Sequence, residues 1–480
     1  MTHFRLPKNL TGFRIHMVGI KGTGMAALCE LLTARGALLS GSDVPEVFYT
    51  DSILSSLGIT VTSPFEAKNV TEDVSLIIHS SAYSVITNPE LIEAITRGLP
   101  IMLYSEALGE FSEHSYSCGI AGVHGKTSTT GMAGTILKYL SMDGSALAGS
   151  IITSFDNHCT MINGNKYFIA ETCEYQRHFL SFRPKKILLT SIESDHQDYY
   201  PTYEAILSAF MQYIDTLPQF GELIYCADDP GACEAAQMIF SSRPDLVFTG
   251  YGERALGDYR LTIKGVKNER LVFSLRGFSG DFAIRVPGHH NARNAAGAIA
   301  LIISLLKLEK QKPDFSDIGK IRAALESFSG SRRRSEIIGE EKGVLVIDDY
   351  GHHPTAIATT LLGLKEFYPH RRLVVDFMSH THSRTLALLD KFATSFTAVD
   401  EVILHKTYAS AREKTEDVES GQLLYEAMQK KHKKVHYFKE INDAREYFAE
   451  NLKDGDLFIT MGAGDNWQLG RTILEDRRNK

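Results

Sequence analysis

Short apolar runs alternate along this chain with segments whose apolar residues recur every three or four positions. That alternation predicts parallel strands joined by helices. Arg14-Ile-His-Met-Val18 reads as a strand leading into the turn Gly19-Ile-Lys-Gly22-Thr23-Gly24. A helix is predicted from Met25 to Arg35, with Leu28, Leu31 and Leu32 on one face and Gly36 as its stop. A second strand, Ala37 to Ser40, leads to Gly41-Ser42-Asp43, and further strands are read at Ser75–His79 and Pro100–Leu103. Ser80-Ser81-Ala82 then falls at a strand's carboxyl end, where sheets of this kind bind ligands.

The same pattern restarts at Tyr116. Cys118 to Ala121 read as the end of a buried strand, Gly122-Val123-His124-Gly125 as a tight turn, and Lys126-Thr127-Ser128 as the opening of a helix. The apolar face expected for that helix is Met132, Ile136, Leu137 and Leu140. Unpaired N–H groups at such a helix start suit phosphate, Lys126 adds a full charge, and the Thr127 hydroxyl suits Mg²⁺. Only two residues separate the glycines, where the usual P-loop has four.

Two more strands, Tyr167–Ala170 and Lys186–Thr190, are expected to lie side by side. They end in Glu171-Thr-Cys-Glu174 and in a segment carrying Glu193, Asp195, His196 and Asp198. Oxygen-rich ends beside a phosphate site suit Mg²⁺. The acids could equally be charges at the start of a helix expected from Thr202. A three-strand meander over Tyr259–Val286 precedes Pro287-Gly288-His289-His290-Asn291 and a buried helix over Ala295–Leu306. Asn291 could be that helix's N-cap or could read an adenine edge.

A third doubly wound sheet is read from strands at Gly343–Ile347, Arg372–Phe377, Glu401–Leu404 and Asp456–Met461. The first ends in Asp348-Asp349-Tyr350-Gly351-His352-His353-Pro354-Thr355, and the second in His380-Thr381-His382-Ser383-Arg384. The run Arg332-Arg333-Arg334 at the junction is a candidate phosphate clamp. The fold class is therefore α/β with three domains. A Rossmann-like domain covers 1–115. A P-loop-containing central domain with a mainly parallel sheet and a small meander covers 116–328. A Rossmann-like C-terminal domain covers 329–480.

At 480 residues, 43% hydrophobic and 23% charged, the chain suits several soluble domains. The net charge of −7 gives no basic footprint for nucleic acid. No apolar run nears the roughly 20 residues that span a bilayer, and the first residues lack a signal-peptide core, so no membrane insertion and a cytoplasmic location are expected. The six cysteines lack Cys-x-x-Cys spacing and read as reduced core thiols. A nicotinamide dehydrogenase would account for the first glycine turn and for nothing after residue 115.

The ordered set Gly-Val-His-Gly-Lys-Thr, Glu174, Glu193-x-Asp-His196, Pro-Gly-x-His-Asn291 and Asp-Asp-Tyr-Gly-His-His-Pro-Thr resembles the Mur ligases, ATP-dependent enzymes of bacterial peptidoglycan synthesis. The likeness runs from Gly19 to Asp465. Within the family it is nearest to the branch that joins L-alanine to UDP-N-acetylmuramate. The resemblance implies those two substrates, ATP and Mg²⁺, with one domain each for the UDP sugar, ATP and the amino acid. It implies that Gly22, Thr23, Gly24, Asp43 and Ser81 hold the UDP sugar. Gly122 to Ser128, Asn291, Arg333 (or Arg334), Asp348 and Asp349 would hold ATP. Thr127, Glu174 and His196 would hold metal, with Glu171 as an alternate. Tyr350, His352, His380 and Arg384 would surround the amino acid, and Lys126, His196 and His352 would be catalytic. A monomer or homodimer is expected. Thr381 and His382 stand where the family has arginine and an aromatic residue. A peptide-adding sister enzyme and a regulatory protein without ligase activity are the alternatives.

Overall fold

The computed structural model describes residues 4–197, 199–408 and 419–479; Asp198 lies outside the described residues. The chain forms two compact units. One comprises Met1–Thr262, Leu275–Gly280 and Arg293–Phe328, and the other Ile263–Ser274, Asp281–Ala292 and Ser329–Lys480.

The first unit opens with an all-parallel sheet of β1 (Arg14–Val18), β2 (Leu38–Ser42), β3 (Val61–Thr62), β4 (Leu76–His79) and β5 (Ile101–Leu103), in the order β3-β2-β1-β4-β5. Chain order reverses beside β1, which places the Gly19–Gly24 turn at a switch point of the sheet. The helix Thr23–Ala34 starts two residues before the expected Met25 and buries Leu28, Leu31 and Leu32.

The second sheet of this unit holds β6 (Tyr116–Ala121), β7 (Gly144–Ile152), β8 (His158–Ile162), β9 (Tyr167–Glu171), β10 (Lys186–Leu189), β11 (Glu222–Cys226) and β12 (Val247–Tyr251). Its order is β12-β11-β10-β6-β9-β7-β8, and only β8 runs antiparallel. The strands β9 and β10, expected side by side, are separated by β6. The middle strand thus carries the glycine turn, and an acidic strand end flanks it on each side. One apolar core joins the two sheets, with Leu28 and Leu31 in the same cluster as Leu147, Ile151 and Cys159. Burying side chains of that size contributes about 1.5–3 kcal/mol each.

The helix Lys126–Tyr139 buries Met132, Ile136 and Leu137, while Leu140 is its C-cap and only half-buried. The helix His289–Glu309 begins six residues before the expected Ala295, so Asn291 lies in its first turn and is not its N-cap. None of the six cysteines is in a disulfide. Cys29, Cys118, Cys159 and Cys226 are buried, as expected, but Cys173 is exposed. Among the described residues no helix is long and apolar enough to cross a membrane.

A small sheet follows, ordered β13 (Leu261–Val266), β14 (Leu271–Leu275), β15 (Phe282–Ile284). The second unit's main sheet contains β16 (Glu336–Glu341), β17 (Val344–Asp349), β18 (Arg372–Met378), β19 (Glu401–Leu404), β20 (Val435–Tyr437) and β21 (Asp456–Gly462), in the order β16-β17-β21-β18-β19-β20. All pairs are parallel except β16 with β17. Apolar clusters cover both faces, as a parallel sheet requires.

Candidate active site

Three groups of residues sit at the carboxyl ends of these parallel sheets, two in the first unit and one in the second. The first surrounds the Gly19–Gly24 turn. Gly22 is the N-cap of its helix, so Thr23 and Gly24 fall in the first turn, where free N–H groups favour an anion. Asp43, just past β2, is buried. Its Oδ2 accepts from Lys21 N at 2.7 Å, and its Oδ1 accepts from Val44 N at 2.8 Å and Tyr83 Oη at 3.0 Å. This carboxylate therefore shapes the turn from within. The Thr23 hydroxyl bonds to the Tyr49 hydroxyl. Ser81 is exposed in the turn beyond β4. The five expected sugar-nucleotide residues thus lie at the ends of β1, β2 and β4, which are neighbours.

The second group surrounds the Gly122–Gly125 turn. Gly125 has φ of 84°, and a Cβ there would stand 2.6 Å from Asn294 Oδ1, so the turn requires glycine. The turn is fastened to the end of β10: Val123 N donates to Ser191 O at 3.0 Å, His124 N to Ser191 Oγ at 3.0 Å, and Thr190 Oγ1 to His124 O at 2.5 Å. The His124 ring pairs with the Glu193 carboxylate. Lys126 Nζ lies 2.9 Å from Glu174 Oε2 and 2.5 Å from Gly122 O. Burial alone would lower the lysine and raise the acid. Each charge more than offsets this for the other, so Lys126 sits above and Glu174 below its ordinary pKa. Both are charged at neutral pH.

Thr127 Oγ1 is 3.1 Å from Glu171 Oε1. His196 Nε2 is 3.6 Å from Glu174 Oε1 and 3.8 Å from Asp195 Oδ2, and its ring lies tilted against Tyr175, with centroids 4.8 Å apart. The helix starting at Tyr203 takes its N-cap from Thr202, so Glu193 and Asp195 are not helix-start charges. Gln176, Arg177 and His196 have φ of 51°, 59° and 52°. Left-handed backbone at residues with side chains costs about 1 kcal/mol or more each, and here it is concentrated around Glu174. Mg²⁺ takes oxygen ligands at about 2.0–2.1 Å in octahedral geometry, which puts neighbouring ligands about 3 Å apart. The Thr127 and Glu171 oxygens meet that spacing, and Glu174 supplies a further carboxylate nearby, so the donor set fits the ion.

The third group belongs to the second unit. Asp348 and Asp349 end β17, both buried. Asp348 accepts from Arg333 Nε at 2.9 Å and Thr460 Oγ1 at 2.7 Å, and Arg333 Nη2 also donates to Gly462 O at 2.7 Å. Burial, only partly offset by Arg333, pushes the Asp348 carboxyl up to about 6. Asp349 accepts from Ser335 N and Gly351 N, each at 2.7 Å. Arg333 and Arg334 stand 5.1 and 5.4 Å from the Tyr350 ring. The rings of Tyr350 and His352 are 5.0 Å apart, those of His352 and His380 6.0 Å, and Arg384 Nη1 is 3.4 Å from His380 Nδ1. All four expected amino-acid residues therefore form one cluster. His352 Nδ1 donates to Tyr350 O at 2.8 Å, which leaves Nε2 as the basic nitrogen. Asn291 Nδ2 donates to Pro287 O at 2.8 Å.

Sequence reasoning did not single out Thr190, Ser191, Tyr175 or Asn294. The first two directly follow a strand at the ligand-binding end of the sheet, so their position was the available signal. Asn294 lies one helical turn beyond Asn291 and was masked by it.

Residues 14–116 match the Mur ligase family, catalytic domain; residues 120–302 match the Mur ligase middle domain; and residues 333–464 match the Mur ligase, glutamate ligase domain. A UDP-N-acetylmuramate–L-alanine ligase from Treponema pallidum is 54% identical over 469 residues, covering 98% of each chain. One from Borreliella afzelii is 38% identical, covering 95% of this chain and 97% of its own. The crystal structure of UDP-N-acetylmuramate-alanine ligase from Thermotoga maritima shares the fold with a TM-score of 0.77 at 24% identity, covering 97% of this chain and 99% of that one. The murein peptide ligase of Psychrobacter arcticus shares it at 0.64 and 23%, covering 98% and 99%. Identity of this order, sustained over nearly the whole of both chains and across all three matched regions, makes the assignment plain: this chain belongs to the Mur ligase family.

Proposed function

We propose that this protein joins L-alanine to the carboxylate of UDP-N-acetylmuramate with the hydrolysis of ATP, in the cytoplasmic phase of peptidoglycan synthesis. The observation that carries this reading is the 54% identity over 98% of each chain with the Treponema pallidum enzyme, whose name states the two substrates. The charged Lys126–Glu174 pair beside a glycine turn supports ATP use.

A carboxylate is a poor acylating agent because oxide is a poor leaving group. In the proposed reaction the UDP-N-acetylmuramate carboxylate attacks the γ-phosphorus of ATP, and ADP leaves. The amine of L-alanine then attacks the acyl carbon, inorganic phosphate leaves, and an amide forms. Positioning and charge neutralisation supply most of the acceleration of such phosphoryl transfers. Lys126 and the N–H groups from Gly122 to Ser128 would neutralise the phosphates. Thr127, Glu174 and His196, with Glu171, would hold Mg²⁺, which when bound supplies charge to the phosphoryl oxygens. Arg384 would pair with the amino acid's carboxylate. His352 Nε2 would take the proton that the ammonium group must lose before it attacks. Asn291, Arg333, Asp348 and Asp349 are proposed at the nucleotide end, with 1–115, 116–328 and 329–480 as the sugar, ATP and amino-acid domains.

The test is ATP-dependent phosphate release with UDP-N-acetylmuramate and each common amino acid, with the product weighed by mass spectrometry. Release with L-alanine and the matching mass gain is expected. Release only with a peptide would move the protein to the peptide-adding branch, and no release with any acceptor would end the ligase reading.

A further inference from the structure

Beneath the amino-acid cluster lies a polar group that the reaction above does not use. Asp376, in β18, and His405, just past β19, have fully buried side chains. His405 Nε2 is 2.6 Å from Asp376 Oδ1, and His405 Nδ1 is 2.8 Å from Phe438 O, just past β20. Asn466, beyond β21, donates its Nδ2 to Asp376 Oδ2 at 2.9 Å and to Met461 O at 3.1 Å. A carbonyl can only accept, so His405 Nδ1 carries a proton. The 2.6 Å contact between Nε2 and the carboxylate needs a second one. The pair therefore holds one proton more than a neutral imidazole beside an ionised aspartate.

This one pair ties together the exits of β18, β19, β20 and β21. Just above it, the exits of β18 and β19 continue to pair: Tyr408 N donates to Ser379 O at 2.8 Å, and Thr381 N to Tyr408 O at 3.0 Å. A hydroxyl chain runs alongside, from Ser379 Oγ to Thr407 Oγ1 at 2.9 Å, to Ser420 Oγ at 2.7 Å, and on to His382 Nδ1 at 2.9 Å. The rings of His380 and Tyr408 then face each other at 6.1 Å.

We infer that Asp376 and His405 are positioning residues for the amino-acid pocket: by clamping the β18 and β19 exits together they set where His380, Arg384 and Tyr408 stand. Neither is among the residues proposed to meet the amino acid. The inference rests on the ligase reading above. It assigns the pair its effect on the amino acid and at most a small one on ATP: the proposed glycine turn belongs to the other unit, and the proposed nucleotide residues of this unit, Arg333, Asp348 and Asp349, stand at β17 and its approach, not at the exits of β18 and β19.

The test uses the full-length protein and the variants Asp376→Asn, His405→Gln and the double variant. KM for L-alanine, ATP and UDP-N-acetylmuramate is measured by phosphate release. Each single variant is expected to raise KM for L-alanine about tenfold, with KM for ATP within about twofold. The double variant, whose amides can bond to each other, is expected to recover most of the loss. Nitrogen-15 NMR of histidine-labelled wild type at pH 8 is expected to show one ring, missing in His405→Gln, with protons on both nitrogens. Equal rises in all three KM values, unchanged KM values beside a lower Tm, or a singly protonated ring with an ionised Asp376 would each overturn the inference. Wild type that ligates a different amino acid would overturn only the L-alanine assignment, and the comparison is then made with that amino acid. Wild type with no turnover on any acceptor would end both.

Discussion

Lys126 Nζ and Glu174 Oε2 are 2.9 Å apart, with side chains 12% and 3% exposed, just beyond the exits of β6 and β9, neighbouring strands of the central sheet. Neither charge has water enough to stand alone. Lys126→Met is therefore expected to cost about 3–5 kcal/mol of stability, because it leaves the buried carboxylate uncompensated. It should also lower phosphate release by about 10²–10³-fold through the lost phosphate contact. Chemical denaturation and single-turnover assays check the two effects separately, and activity within tenfold of wild type would contradict the assignment.

Gly125→Ala forces a Cβ to 2.6 Å from Asn294 Oδ1 at a φ of 84°. A rise of about tenfold in KM for ATP is expected, with a stability loss of about 1–3 kcal/mol. Gly12→Ala is the control, since Gly12 has φ of 76° and nothing within 4 Å. It should show the backbone cost without the effect on ATP.

Thr381 and His382 depart from the arginine and the aromatic residue that the family has at these positions. Thr381 caps the helix His382–Ala387 through Arg384 N, and its carbonyl accepts from Thr385 Oγ1 at 2.7 Å. His382 Nδ1 is 2.9 Å from Ser420 Oγ. Both side chains are engaged in the framework of the loop. His382→Phe should therefore leave the preference for L-alanine over glycine and L-serine unchanged within about threefold in kcat/KM, since only groups meeting the transition state discriminate. Mixed-substrate competition with mass detection measures this.

The Asp348 carboxyl, held up to about 6 by burial, gives stability a defined pH dependence. Its folded pKa exceeds the ordinary value of 3.8, so the folded protein binds the extra proton between those limits. This contribution is complete below about pH 4 and is lost as pH rises to about 6, by up to about 3 kcal/mol. Glu90, Glu174 and Glu222 are held low and slope the opposite way, so the readout is a difference. Subtracting the unfolding profile of Asp348→Asn from that of wild type should leave a decline confined to this window. A flat difference would contradict it.

The alternation of strands and helices was legible from periodicity because parallel strands are short, apolar and bounded by turns. The turn at Gly122–Gly125 and the acidic strand ends were legible for the same reason: ligand groups collect at strand exits. Strand order was not legible, since nothing local to β9 or β10 encodes that β6 lies between them. The pairing of Lys126 with Glu174, and of Thr127 with Glu171, follows from that order and so was also hidden. The helix at His289 was read six residues short because two histidines and an asparagine interrupt its apolar pattern. His405 carried no motif at all, and its partner Asp376 lies 29 residues away, between the apolar Val375 and Phe377 of β18.

Cys118 lies in β6, paired on both sides, fully buried, with its thiol pushed up to about 12 by burial. A thiol in that state is inert to alkylating reagents until the strand is pulled from its neighbours. The Gly122–Gly125 turn is the direct continuation of the same strand. The chain thus carries a natural clock for the opening of its own central sheet. Cys29 and Cys159 are buried as deeply, so peptide mapping must pick out Cys118; its own labelling rate then reports how often that sheet comes apart, without any label having to be introduced.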